Sequence, residues 1–203
     1  MKKIIFLGIY VILSFTSVNL FSQTQISNEE REKALAHLQS TKAALMEAVD
    51  GLTEEQLNYK ATPESWSIAE CVEHIAISEG MIFELIKESL KPEADPSLRS
   101  EIKMTDDQVS VIIADRTNKV KTSEAFEPKD GFGSYEGSLE AFNDKRSTSI
   151  DFVEKTTDDL RNHYSDFPFG KLDTYQTILF MSAHTDRHTK QIVEVKENAN
   201  FPM

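Results

Sequence analysis

Cysteine is nearly absent from this sequence: Cys71 is alone among 203 residues. No internal disulfide can form, so the fold must be held by its core. Cys71 itself reads as a small buried residue, with a free reactive thiol as the minority reading. Positive charge is also short, with 22 Lys and Arg against 34 Asp and Glu and a formal net charge of −12. Such a surface repels phosphates, which argues against a nucleic-acid partner. Beyond that, acidity speaks for solubility and for no particular ligand. Strand-like alternation is scarce, and so are close-set hairpin turns of the Asn-Gly type. Long apolar runs are missing too. The one uncharged apolar run, Ile4 to Leu13, has ten residues, where a comfortable membrane span wants about 20.

That short run is flanked in a telling order. Lys2 and Lys3 precede it, and "SFTSVNLFSQTQ" follows it. A basic start, a short apolar core and a small, polar cleavage region make a secretory signal. Residues 1–22 are therefore expected to be a signal peptide cleaved near Ser22, with an uncleaved anchor as the alternative. No cysteine lies near the cleavage region, which argues against a lipid-modified start. Cleavage would leave 181 residues with a net charge of −14, since Lys2 and Lys3 go with the signal. The mature protein is expected to be exported, periplasmic or secreted, with no membrane attachment after cleavage. A chain of that length suits one domain with a real core, placed at residues 27–203.

What is plentiful is helix signal. Ser27 with Glu30 and Ser67 with Glu70 have capping-box spacing, in which a hydroxyl and a carboxylate satisfy each other's backbone N–H groups. The first opens a helix with Leu35, Leu38, Leu45 and Val49 on one side and Gly51 as its stop; His37 lies off that stripe and reads as a surface residue. The second opens a helix from Ile68 to about Leu90, ended by Pro92, with an inward stripe of Ile68, Cys71, His74, Ile75, Ser78, Ile82 and Leu85. A third helix is expected from about Tyr135 to Lys155, carrying Leu139, Phe142, Ile150 and Val153 with Arg146 near their line. A fourth opens at the cap Asp173 and runs to about Glu197, carrying Met181, His184, His188, Ile192 and Val195. Between the second and third, residues 91–133 hold a short helix opening at Thr105 and a loop-like tail, "FEPKDGFGS". A connection that long can carry the chain the length of a bundle and cover one mouth. The expectation is an all-α four-helix bundle with long inter-helix connections and an extra short helix, and no assumed up-down-up-down order.

Two of the five histidines, His184 and His188, stand four residues apart on an otherwise apolar stripe. Residues at i and i+4 leave one face of a helix about 6 Å apart along its axis. Two imidazoles turned into a core are costly unless their nitrogens find partners. A divalent ion is one such partner, reachable by both rings. His74 lies on the inward stripe of the second helix, and bundles build metal sites from side chains on facing helices. Three neutral histidines would leave an ion its charge and at least one open position, the arrangement of a catalytic or ligand-binding site. The plain reading stands beside this one: histidines that hydrogen-bond each other and water within the core. Position 185 is Thr, so the H-E-x-x-H pattern of zinc proteases is absent.

"WSIAECVEHIA" (Trp66 to Ala76), the preceding "GLTEEQL" and "HTDRHTKQI" (His184 to Ile192) together resemble the DinB/YfiT-like superfamily over residues 27–197. In that family a Trp-Ser start opens the helix with the first metal histidine, and an H-x-x-x-H late in the last long helix supplies two more. The resemblance implies a four-helix bundle holding a divalent metal ion, zinc or nickel above others, with His74, His184 and His188 as the metal ligands. It implies a metal-dependent hydrolase or thiol S-transferase acting on an unknown small-molecule substrate. A non-catalytic metal- or ligand-binding bundle is the alternative. Export and the enlarged middle segment depart from the family's cytoplasmic members. A homodimer is compatible with the pattern and not required by it.

Among other residues, Trp66 reads as a packing anchor with a substrate-facing role second. Glu70 reads as a cap, with a hydrogen bond to a ligand or a base role second. Arg146 is expected to bury its stem and reach solvent or pair with an acid such as Glu70 or Glu73, with contact to an anionic substrate as the second reading. Gln191 is expected to make an interior hydrogen bond or touch a metal-bound water. Asp186 and Arg187 face away from the histidine pair, and His163 receives no role.

Overall fold

The computed structural model describes residues 25–118 and 120–203. The expected signal peptide therefore lies outside the described residues. Among these, no helix is long and apolar enough to cross a membrane. The four long helices are α1 (Asn28–Val49), α3 (Ile68–Ser89), α5 (Tyr135–Lys155) and α6 (Thr174–Lys196). Between them lie the one-turn helix α2 (Glu54–Asn58) and α4 (Asp106–Ala114), with 3-10 turns at Pro96–Glu101 and Glu124–Phe126. Capping boxes open α1, α2, α3, α4 and α6 through Ser27, Thr53, Ser67, Thr105 and Asp173. Each box satisfies orphan N–H groups at a helix start. Gly51, at φ 67°, turns the chain out of α1, in the left-handed region that glycine enters without steric cost.

The long helices pack in the ring order α1, α6, α3, α5, so α1 faces α3 and α5 faces α6 across diagonals. Cross-helix contacts give the directions. Thr41 meets Ser182 and Ala48 meets Lys196, so α1 and α6 are parallel. Glu79 meets Arg146 and Phe83 meets Phe152, so α3 and α5 are parallel. Ser89 meets Thr174 and His74 meets His188, so α3 and α6 are antiparallel. Parallel neighbours cannot be joined by a short hairpin. The chain must return along the bundle, about 30 Å for a 20-residue helix, which is why the α3–α5 connection is long. It spends that length on α4, which packs on α6.

The core has two apolar parts. One holds Leu45, Val49, Ile68, Cys71, Ile75, Phe142 and Ile192; the other holds Leu38, Ile82, Ile86, Val153, Leu160, Tyr175 and Leu179. Between them lies a polar belt: Thr41 on α1, Ser78 and Glu79 on α3, Arg146 and Ser149 on α5, Ser182, Thr185 and His188 on α6, all buried. Cys71 is fully buried, and burial lifts its thiol to about 12, so it is inert as a nucleophile.

Several local expectations need correction. Leu85 is 36% exposed while Ile86 is fully buried: after Ile82 the 3.6-residue period carries the inner stripe by four residues, not three. His37 is half-buried rather than on the surface, and its Nδ1 is enclosed without a hydrogen-bond partner. The α5–α6 connection contains an antiparallel hairpin, β1 (Tyr164–Phe167) and β2 (Gly170–Asp173), turning through Pro168 and Phe169. At its base His163 does take part: Nδ1 donates to the Ser89 carbonyl at 3.1 Å, and its own carbonyl accepts from the Thr174 N–H at 2.9 Å. It ties the end of α3 to the start of α6.

Candidate metal centre

The three histidines singled out in the sequence meet at one point. Helix α3 supplies His74 and helix α6 supplies His184 and His188, and one ligand atom from each lies within 4.8 Å of the others. His74 and His188 are buried, and His184 is half-buried. The rings crowd together, with centroids 4.3 Å apart for His74 and His188, 4.6 Å for His184 and His188, and 5.1 Å for His74 and His184. Burial pulls all three below the ordinary imidazole range, His184 to about 3, with mutual repulsion adding for His184 and His188. At neutral pH each ring is uncharged and carries one proton.

Where that proton sits decides what the cluster can do. His74 Nδ1 lies 2.7 Å from the Phe126 carbonyl oxygen, and His188 Nδ1 lies 2.9 Å from Gln191 Oε1. An oxygen of this kind only accepts, so both Nδ1 atoms carry the proton. Both Nε2 atoms are then bare, and they face each other at 3.1 Å. Two lone pairs aimed at one another at that distance repel. Ser78 Oγ, 3.5 Å from His74 Nε2, is a distant donor at best. Two nitrogens ligating one ion at about 2.0–2.1 Å stand ~3.0–3.4 Å apart, and 3.1 Å falls in that interval. The donor set therefore fits a divalent cation. The Nδ1 hydrogen bonds are the partners that ligating histidines usually have. His184 has no hydrogen-bond partner among the described residues.

The surroundings come from four other places. Trp66, ahead of α3, does more than close a helix start: its ring lies 4.7 Å from His74 and 6.0 Å from His188. Phe180 stands 6.0 Å from His184 and packs on Phe167 and Phe169 of the hairpin, which extends an aromatic wall to the surface. Phe126 belongs to the middle segment, which thus does reach the histidines. Arg116, just after α4, donates to Gln191 Oε1 at 3.0 Å. Nothing in the sequence pattern singled out Phe126 or Arg116, because each reaches the site through a loop path; Phe180, one turn before His184 on α6, was within reach of the helical spacing and was passed over.

The acids assessed beside the histidines are engaged elsewhere. Glu70 accepts from the Ser67 N–H and pairs with Lys60. Glu73 accepts from the N–H groups of Lys129 and Gly131 and so pins the loop that carries Phe126. Arg146 pairs with neither of them. It is fully buried against Glu79, 1% exposed, with bonds of 2.8 and 2.9 Å. Its remaining donors reach the Leu38 carbonyl, Thr41 Oγ1 and Thr185 Oγ1. Asp186 pairs with Lys190, and Arg187 anchors the carbonyls of Asp115 and Asn118. Both point away from the cluster, as expected.

Residues 37–192 match the family model of the DinB superfamily. The chain belongs to the DinB superfamily. An uncharacterised Bacillus subtilis (strain 168) protein, YuaE, is 27% identical over 150 residues, covering 72% of this chain and 87% of YuaE. The solved structure of YfiT from Bacillus subtilis superposes with a TM-score of 0.58 at 18% identity, covering 88% of this chain and 92% of YfiT. YfiT is described as a probable metal-dependent hydrolase with an unusual four-helix bundle topology. At that identity the likeness speaks for the fold.

Proposed function

We propose that this DinB-superfamily protein holds one divalent metal ion through His74, His184 and His188 and acts as a metal-dependent hydrolase. The observation that carries this is the pair of bare Nε2 atoms held 3.1 Å apart by Nδ1 hydrogen bonds on their far sides. Neutral rings need no deprotonation before ligation. Three protein ligands leave a coordination position open, and His184 is the ligand nearest solvent. A bound divalent ion there would lower the pKa of a water and polarise a carbonyl or phosphoryl oxygen. Trp66 and Phe180 set apolar ring surface beside His74 and His184. Export of the mature chain belongs to this proposal as well, on the strength of Lys2, Lys3 and the apolar run that follows them; N-terminal sequencing of protein recovered from the cell envelope and medium tests it.

A second reading is a non-catalytic metal- or ligand-binding bundle. It is favoured by one observation: among the described residues no carboxylate hydrogen-bonds to the three histidines, so a general base is not at hand. One experiment separates the two. Untagged protein and a His74→Ala/His184→Ala variant are analysed for metal content, then tested against ester, amide and phosphoester panels with and without chelator. About one zinc or nickel per chain, lost in the variant, with chelator-sensitive turnover, is the expected result. Metal without turnover on any panel supports the binding bundle. No metal after dialysis against both ions overturns the proposal.

A further inference from the structure

His74 and His188 are held by different kinds of acceptor. A backbone carbonyl, Phe126 O, has no second face to offer His74. The Gln191 amide has two: an oxygen that accepts and an NH2 that donates, nearly equal in shape. With the oxygen toward His188 Nδ1, Nε2 stays bare. With the NH2 there, the proton must move to Nε2, which stands 3.1 Å from His74 Nε2 and would then be closed to a metal.

Arg116 decides between these faces. Its Nη1 donates to Gln191 Oε1 at 3.0 Å, and a guanidinium has no acceptor to offer an NH2 group. Arg116 is itself held by two bonds to Glu194, at 2.9 and 2.7 Å, and its side chain is only 16% exposed. A guanidinium beside a cation site is unfavourable by charge alone. Glu194 offsets that charge, and what remains is a donor that cannot be reversed. We propose that Arg116 is a positioning residue: acting through the Gln191 amide, it holds His188 in the tautomer whose Nε2 is free to ligate the metal. The proposal rests on the metal-site reading above. It also gives the long middle segment a part in the site, since Arg116 follows α4 directly.

The test reads the tautomer and the metal separately. In chelated protein, 15N NMR of the imidazole nitrogens reports which nitrogen of His188 carries the proton. Wild type is expected to hold it on Nδ1, and Arg116→Met to move it wholly or partly to Nε2. Zinc affinity, by competition with a chromophoric chelator, is expected to fall about 10- to 100-fold in Arg116→Met. Arg116→Lys, which still offers only donors, is expected to keep the wild-type tautomer and serves if the Met variant does not fold. The decisive variant is Arg116→Met/Gln191→Glu. A carboxylate accepts on either oxygen and needs no orienting, so tautomer and affinity should both return. An unchanged tautomer in Arg116→Met overturns the proposal. So does a lost affinity that Gln191→Glu fails to restore, because a general structural role would not be rescued that way. If wild type binds neither zinc nor nickel, the metal reading fails, and the tautomers of wild type and Arg116→Met still decide what Arg116 does.

Discussion

Arg146 with Glu79 and the three histidines occupy neighbouring turns of the same bundle, and they handle burial in opposite ways. In the first cluster every donor of a fully buried guanidinium is used: two reach Glu79, and three reach Leu38 O, Thr41 Oγ1 and Thr185 Oγ1. Ser149 Oγ donates to the same carboxylate at 3.0 Å. Helices α1, α3, α5 and α6 all contribute, so the cluster closes on itself. In the second cluster the outward nitrogens of His74 and His188 are satisfied and the inward ones are not. A buried polar network that is complete rigidifies a core, and one left incomplete costs free energy unless something fills it. The difference separates a scaffold from a receptor: the first cluster fixes the register of four helices, and the second leaves a lone-pair-lined gap at a point which that register defines.

The comparison breaks most visibly at the scaffold. Arg146→Met or Glu79→Leu leaves one buried charge uncompensated, with an expected loss of about 3–5 kcal/mol. Urea unfolding should show it as a lower midpoint with little change in slope. The double variant Arg146→Met/Glu79→Leu removes both charges and should recover most of the loss. A double variant as unstable as the singles would mean that the hydrogen bonds to Leu38, Thr41 and Thr185, not the charge balance, hold the belt together.

Filling the gap should come next in size. A ligand that binds only the folded state at ~1,000 times its dissociation constant stabilises by about 4 kcal/mol. Zinc or nickel added to chelated protein should therefore raise the melting temperature by roughly 10 °C, at about 2–4 °C per kcal/mol for a chain of this size. The rise should be absent in His74→Ala. If the melting temperature ignores both ions, the second cluster is packing and the contrast with the first disappears.

Much of this was legible in the residues, and the exceptions share a cause. Capping boxes and apolar stripes are local, so the span from Tyr135 to Lys155 and the starts at Ser27, Ser67 and Asp173 could be read directly. The histidines could be read because each stands on an otherwise apolar face. Arg146 also stood out, but its partner did not. Glu70, Glu73 and Glu79 all lie on α3, and choosing among them needs the axial register of α3 against α5, which no local pattern carries. Glu79 had left a sign, being one turn after Ile75 on the inward face. The hairpin was missed because four-residue strands are too short to display alternation, and α2 because five residues make barely one turn. Phe126 and Arg116 reach the site through loop geometry, which only the folded chain defines.

Acid should separate the clusters in metal-free protein by a smaller margin. Folding holds the three histidines below their ordinary range, through burial first. The unfolded chain therefore binds more protons than the folded one between about pH 6.5, where free imidazole titrates, and about 3, the folded value for His184. Stability rises with pH wherever the unfolded state binds more protons, so this contribution is whole above pH 6.5 and is lost as pH falls through that window. Chelated wild type should melt at a lower temperature at pH 5 than at pH 7.5, and His184→Ala should flatten that slope. An equal slope in both proteins would place the acid sensitivity outside the histidines.

The smallest effect is the sharpest test of what the histidines are for. At pH 7.5 without metal, His184→Ala should cost no more than about 1 kcal/mol. The ring is half-buried and has no hydrogen-bond partner among the described residues, so its removal strands nothing and relieves crowding against His74 and His188. That is the reverse of Arg146→Met, where one deletion strands a buried carboxylate. The same His184→Ala substitution should abolish the stabilisation by zinc or nickel. Urea titrations of both proteins, with and without chelator, make the comparison in one experiment. If His184→Ala costs the metal-free protein as much as Arg146→Met does, the histidines are part of the scaffold, and the division of the polar belt into scaffold and receptor fails.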